Sequence, residues 1–347
     1  MPLAAGAWDR ALSRSAEAEV YHSSAWLGFL AATQGVEPIV ATVLRGDRPA
    51  GLFAGGIVRR GGLRILGSPA RGWSTPFQGF ALEPGLDRVA ALEALWRFAL
   101  DDLGCVHVEL ADRWLTTEDA RAAGWQTESG LSFVAELGGT EDEVFARLRR
   151  TTRQEIRKAI RAGVTVEPAT DLLFADEYYN FLRLVYAHDG LAPAYTVTRV
   201  RELMRNLGPT GHLLALRVKA PDGDTIATSL SVGFGQTAAA WGVAFDRRDT
   251  RFHPMELLWW ENLRHWHARG AVRFDLVGQG EYKAKYGGEA TRTCHAHRSK
   301  HRILAIGRAA IPRIVYARQR RAGRRARVIF GMDPPGGDAG RRDDDRG

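Results

Sequence analysis

Cysteine is nearly absent from this chain: Cys105 and Cys294 are the only two in 347 residues. Both fall in segments that read as strands, too few and too far apart for a disulfide framework or a cysteine-based zinc site. That usage fits a reducing compartment. The N-terminal segment has no basic stretch followed by an apolar one, which argues against a secretory signal. No run of 18 apolar residues occurs, so no segment reads as a membrane-spanning helix. Acidic residues are missing from one long stretch. Between Ala290 and Met332 there are twelve Lys and Arg and not one Asp or Glu. The whole chain has a net charge of +8, so the remainder is net acidic, by four charges. A pI near 9.8 taken alone would suggest nucleic acid, but the basicity belongs to a C-terminal arm rather than to the body.

Hydrophobic residues make up 45% and charged residues 25%, ordinary values for a globular chain, and the length suggests two domains. In the first half the pattern predicts a helix over 24–34 and strands near 38–44, 50–58 and 63–67, then a Gly/Pro-rich loop. A helix at 87–103 is closed by Gly104, and a strand at 106–110 follows. A short helix at 117–123 and a strand near 131–137 complete this half. The second half opens with one long helix, 141–162, ended by Gly163. Helices near 174–186 and 198–206 follow, then three strands, 212–219, 225–233 and 237–245. A helix at 254–269, closed by Gly270, leads into a strand at 272–276. The halves rhyme: each has a crossover helix ending in glycine and then a strand of similar build, CVHVEL and AVRFDL. A strand–helix–strand unit demands a parallel pair, so each half is expected to hold a mixed sheet flanked by helices, an α+β (α/β mixed) fold. The residues beyond 334 read as disordered.

Three stretches of the second half carry a resemblance. They are FARLRRTTRQEIRKAIRAGVTVE (145–167), WGVAFDRRDTRFHPMELLWWENLRHWHARGAVRFDLVG (241–278) and YKAKYGG (282–288). Their order and spacing resemble the FemAB-like peptidyltransferases and the acetyltransferase domains grouped with them in the GNAT superfamily. Weaker likeness in YHSSAWLGFL and ILGSPARGWSTPF extends it into the first half. The resemblance implies two tandem GNAT-like domains, 1–140 and 141–307, followed by a basic helical arm at 308–332 and a disordered tail at 333–347. It implies an N-acyltransferase acting on an amine of a cell-envelope or polysaccharide-related acceptor, with acyl-CoA or aminoacyl-tRNA as co-substrate and no tightly bound cofactor. The alternative is a non-catalytic basic adaptor that binds RNA or a membrane surface. GNAT enzymes that use coenzyme A cradle its pyrophosphate with a glycine-rich loop before the crossover helix. Here that loop, DRRDTRFHP (246–254), has no glycine, which leans toward a tRNA-borne donor and leaves coenzyme A open.

Candidate site residues follow. Lys283 occupies the motif lysine, which the resemblance places at the reacting end of the donor. Read as a strand, EYKAKYGG sets Lys283 on the face opposite Tyr282 and Tyr286. Asp275, near a strand end, is a candidate to orient or deprotonate the amine, against pairing with an arginine. Arg149, Arg153, Arg157 and Arg161 form a basic stripe on the long helix. Arg153, together with Arg247, Arg248 and Arg251 of the loop, is assigned to donor phosphates, against a solvated surface. Arg71 and Trp73, in the loop after 63–67, are assigned to the acceptor as exposed loop residues. His295, His297 and His301 read as surface histidines, and no metal site is expected. The arm at 308–330 offers contact with anionic membrane, with RNA, or with the body. The expected location is the cytoplasm, with peripheral attachment to the inner face of the membrane through that arm.

Overall fold

The computed structural model describes residues 5–301 and 317–322. Local signals start and stop most helices. The helices are α1 (Ala5–Leu12), α2 (Ser24–Gln34), α3 (Arg88–Arg97), α4 (Thr117–Ala122), α5 (Glu141–Arg147), α6 (Arg150–Arg161), α7 (Phe174–His188), α8 (Val197–Leu207) and α9 (Pro254–Ala268). The Ser23, Asp87 and Thr116 side chains each accept a backbone N–H of the first turn of α2, α3 and α4. Thr140 and Glu143 form a capping box on α5, and Pro254 stands at the first position of α9. These placements satisfy the free amides of a helix start or avoid having one.

The strands are β1 (Glu37–Arg45), β2 (Arg48–Arg60), β3 (Leu63–Ser68), β4 (Gly79–Leu82), β5 (His107–Ala111) and β6 (Gln126–Glu136). They continue as β7 (Thr165–Pro168), β8 (Leu213–Lys219), β9 (Thr225–Phe234), β10 (Thr237–Phe245), β11 (Arg273–Asp275) and β12 (Gly288–Ser299). They join in one 12-stranded sheet of order β1-β2-β3-β5-β12-β6-β11-β10-β9-β8-β7, with β4 beside β2. The two parallel pairs expected from the rhyming crossovers are β3 with β5 and β10 with β11. The other pairs are antiparallel. The mixed sheets of the two halves meet edge to edge at β6, and the last strand of the second half, β12, is seated between β5 and β6 of the first.

The packing joins the halves as well. Trp26, Phe29 and Leu30 of α2 share one buried cluster with Tyr178 of α7 and with Leu203 and Leu207 of α8. A second cluster packs α5, α6 and α9 on the second half of the sheet, and a third packs α3 and α4 on the first. Burial of apolar area on this scale is the main driving term of the fold.

Three sequence expectations change locally. The long helix 141–162 is two helices, because Leu148 turns to extended backbone (ψ 147°) and is buried. At that break the Arg149 N–H donates to the Lys285 carbonyl at 3.0 Å. The segment 281–286 is a 3₁₀ turn, not a strand. The end of 87–103 tightens into a π-helical turn over Phe98–Asp102. Of the arm, only 317–322 is described: it is helical and bonds the body, with the Ala192 N–H donating to the Gln319 carbonyl at 3.2 Å. The rest of the arm and the tail lie outside the described residues. Among the described residues no helix is long and apolar enough to cross a membrane.

Candidate active site

β10 and β11 run side by side for only three residues, Thr237–Ala239 against Arg273–Asp275. β10 then continues to Phe245 with β9 as its one partner among the described residues, so the two strands part and one edge of β10 is left unpaired by any described strand. A bulge falls here, between Ala240 and Gly242. The bulge turns Trp241 into an aromatic group with Phe29, Tyr178 and Tyr195, at centroid distances of 6.4, 6.3 and 5.3 Å. Gly242 is required at this spot, because a Cβ there would lie 2.0 Å from the Tyr178 hydroxyl.

At the parting of the strands lies a cavity of about 470 Å³. Ala240, Trp241 and Val277 form its wall from the second half. The loop 69–76, Glu109, Glu128 and His295 close it from the first half and from β12. The loop is tethered to its own half. The Arg71 N–H donates to Glu109 Oε2 at 2.8 Å, and the Arg71 guanidinium is paired with Glu128. His107 meets the other Glu109 oxygen at 3.5 Å. The cavity therefore holds carboxylates, an imidazole, a guanidinium and an indole in one place, a mix suited to a polar substrate with an apolar arm.

The wall at Val277 is held by a buried network. Asp275 is 0% exposed. Its Oδ1 accepts from Ser132 Oγ (2.5 Å) and the Val277 N–H (2.8 Å), and its Oδ2 accepts from Arg113 Nη1 (2.9 Å). Arg113 also bonds Glu19. Burial alone would lower the Arg113 pKa, but Glu19 and Asp275 more than offset this and raise it. After Asp275 the chain turns through positive φ at Val277 (50°) and Gly278 (85°), a conformation costly for a β-branched residue. Lys283 fastens that turn: its Nζ donates to the Val277 carbonyl and, at 3.2 Å, to that of Gly278. Burial lowers the Lys283 pKa, and Asp275 works the other way.

The structure brings Lys283 and Asp275 together at one edge of the cavity, though neither lines it. Lys283 is 7% exposed and shares the buried side of the 3₁₀ turn with Tyr286, while Tyr282 is 57% exposed. The expected opposition of Lys283 to both tyrosines is thus corrected, since residues three apart eclipse in a 3₁₀ turn. Arg71 and Trp73 do line the cavity, but Trp73 is buried (4% exposed) and packs in the cluster with Trp26 and Phe29, so it is a wall and not an exposed loop side chain. His297 is likewise buried, on β12, and not at the surface.

The donor candidates lie elsewhere. Arg153 turns back to the carbonyls of Ala146 and Leu148. Arg247, Arg248 and Arg251 sit in a 3₁₀ turn, Arg247–Phe252, just before α9. Arg247 donates to His188 Nε2 at 2.7 Å, Arg248 pairs with Asp246, and Arg251 lies 4.6 Å above the Phe252 ring. Arg247 and Arg248 border a smaller cavity of about 300 Å³ beside Phe245, at the far end of the unpaired stretch of β10. Glu155, His253 and Glu256 place ligand atoms within 4.8 Å of one another, and the Lys285 ammonium is bonded to Glu256 at 2.6 Å.

Sequence reasoning passed over Glu109, Glu128, Trp241 and Arg113. One signal was available for Glu109: in the rhyming strands CVHVEL and AVRFDL it occupies the place of Asp275. A glycine after Trp241, inside a strand, is a bulge signal.

Residues 146–286 match the acetyltransferase (GNAT) domain family. No curated protein matches the chain by sequence. FemX is similar in structure, at 12% identity and TM-score 0.70, over 85% of this chain and 96% of FemX. L-PGS from Bacillus licheniformis is similar at 13% identity and TM-score 0.52, over 89% of this chain and 96% of that one. A conserved protein of unknown function from Bacteroides thetaiotaomicron follows at 9% identity and TM-score 0.51, over 85% and 98%. Residues 146–286 are thus similar to GNAT acetyltransferase domains, and the chain as a whole shares its fold with FemX.

Proposed function

We propose that the chain transfers an acyl or aminoacyl group to an amine of a cell-envelope or polysaccharide-related acceptor, in the cavity between its halves. The observation that carries this reading is the unpaired edge of β10, which opens into the cavity at Trp241 and reaches Arg247 and Arg248 at its far end. An extended donor can lie along such an edge and take its backbone hydrogen bonds, as an added strand does. From Trp241 to Arg247 is six residues, about 20 Å of extended strand. That length suits a long donor with phosphates at one end and an acyl carbon at the other, acyl-CoA or the end of an aminoacyl-tRNA. With no glycine in 246–254, phosphates would meet arginine side chains rather than a backbone nest.

The acceptor enters against the loop that carries Arg71 and Trp73. Its amine must lose a proton to attack, and of the described residues lining the cavity Glu109, Glu128 and His295 carry groups able to take it. Lys283 acts from the edge: a fixed ammonium there offsets negative charge developing on the reacting oxygen. Asp275 orients the turn that holds it. The names of FemX and of L-PGS, together with the domain match, support a transferase with an envelope-related acceptor. Mass spectrometry of protein isolated under mild conditions tests the donor. Bound acyl-CoA or a retained RNA end supports the reading. Protein that retains neither when each is supplied in excess contradicts it.

A further inference from the structure

Arg113 links the segments behind both walls of the cavity to the N-terminal part of the chain. Its Nε and Nη2 donate to the two Glu19 oxygens, and its Nη1 donates to Asp275 Oδ2 at 2.9 Å. Its guanidinium carbon lies 4.2 Å over the Phe77 ring. Phe77 directly follows the cavity loop that ends at Pro76, and Asp275 directly precedes the turn that carries Val277, so each contact leads to one wall. The side chain is 10% exposed, and Glu19 and Asp275 are 4% and 0%. The frame is charge-balanced by Glu19 and Asp275 against Arg113 and Lys283. Tyr21, buried in the same seam, keeps its proton because burial, Glu19 and Asp275 all raise its pKa.

We propose that Arg113 is a positioning residue for the transfer reaction, a clamp that fixes the loop wall (69–77) against the β11 wall (275–278) and so sets the place of the Lys283 ammonium. The proposal rests on the acyl-transfer reading of the cavity. A rigid planar fork can serve three directions at once: Glu19, Asp275 and the face of Phe77. A lysine carries its donors on a single nitrogen and has no plane, so it cannot pair both Glu19 oxygens and Asp275 while covering the Phe77 face. Unclamping leaves every substrate contact in place but lets the two walls move relative to each other, and a displacement of about 1 Å at a reacting centre costs up to about a hundredfold in rate.

The test uses the full chain with Arg113→Lys, which keeps a positive charge between the buried carboxylates. Three quantities are read: amide hydrogen exchange, and kcat and KM for transfer. The expected result is faster exchange at 276–279 and at 70–78 alone, with kcat lowered about tenfold to a hundredfold and both KM values within about twofold of wild type. Unchanged exchange in both stretches overturns the clamp. Faster exchange with unchanged kcat overturns its role in the reaction. Should Arg113→Lys fail to fold, Arg113→Gln combined with Glu19→Gln removes one charge of each sign, leaves Asp275 with Lys283 and the Val277 amide, and yields the same readouts. If the wild type itself transfers nothing, the transferase reading falls, and the exchange pattern still decides the clamp.

Discussion

The Lys283 ammonium and the Gly278 carbonyl meet at 3.2 Å, and the Val277 carbonyl is bonded by the same nitrogen. The motif lysine therefore holds the left-handed turn that leaves β11, and the proposed reaction gives it a second task, a charge beside the cavity. Lys283→Ala is predicted to abolish transfer and also to lower stability. Hydrogen bonds from a charged donor are each worth about 1.5–3 kcal/mol, so a fall of that order is expected, with the sheet intact. Lys283→Met keeps the buried stem and should lose less stability while losing as much activity. Turnover alongside a thermal melt separates the two tasks. Full activity in either variant contradicts the role.

Asp275 raises the Lys283 pKa, while burial lowers it. If transfer needs the charged amine, activity declines as pH rises through the Lys283 pKa. Asp275→Asn removes the raising influence, so the alkaline limb of the kcat profile should move to lower pH. A limb that stays in place, or moves upward, excludes Lys283 as the group responsible.

Asp112 gives a separate pH signal, in stability. It is 1% exposed, and burial pushes its pKa up to about 6, against the lowering influence of Arg88 and the Phe80 and Trp114 amides. The folded state therefore binds this proton more tightly than the unfolded chain, whose aspartates titrate near pH ~4. Between those values the unfolded state holds fewer protons, so this group's contribution to stability falls as pH rises from about 4 to about 6. Asp112→Asn should flatten that part of the stability curve in urea titrations at several pH values. An unchanged slope contradicts the assignment.

β12 predicts where the chain can be shortened. A chain ending at residue 301 keeps every strand of the sheet, and the described hydrogen bonds it gives up include the two between Gln319 and Ala192, each worth about 1 kcal/mol. It should fold and melt close to the full chain. A chain ending at 287 lacks a strand that pairs with both β5 and β6 in the middle of the sheet, and should not fold. Circular dichroism of the two truncations decides, and equal folding of both would contradict the topology.

Much of this architecture was legible in the sequence because its signals are local. The periodicity of α2, α3 and α9, the glycines that close the crossovers, and the paired strands CVHVEL and AVRFDL all follow from residues close together in the chain. What was not legible is decided by distant partners. Periodicity runs through the break at Leu148, where the deciding bond is from Arg149 to Lys285. EYKAKYGG alternates like a strand, yet Lys283 and Tyr286 are also three apart, and burial against the β11 exit selects the 3₁₀ turn. Arg113 and Asp275 are 162 positions apart, and nothing local marks them as partners. The loop 69–76 that lines the cavity was legible in its composition, but the burial of Trp73 depends on packing with α2.

Amide formation at the parting of β10 and β11 can be read from the mass of the acceptor. Wild-type chain is incubated with an amine-bearing envelope precursor and, separately, with acetyl-CoA and with aminoacyl-tRNA, and the acceptor's mass is measured. The expected result is a mass gain equal to the donated acyl group with one of the two donors. That gain should be lost when Ala240→Trp fills the cavity wall without unfolding the protein. No mass gain with either donor, or an unaltered rate in the folded Ala240→Trp variant, would contradict it.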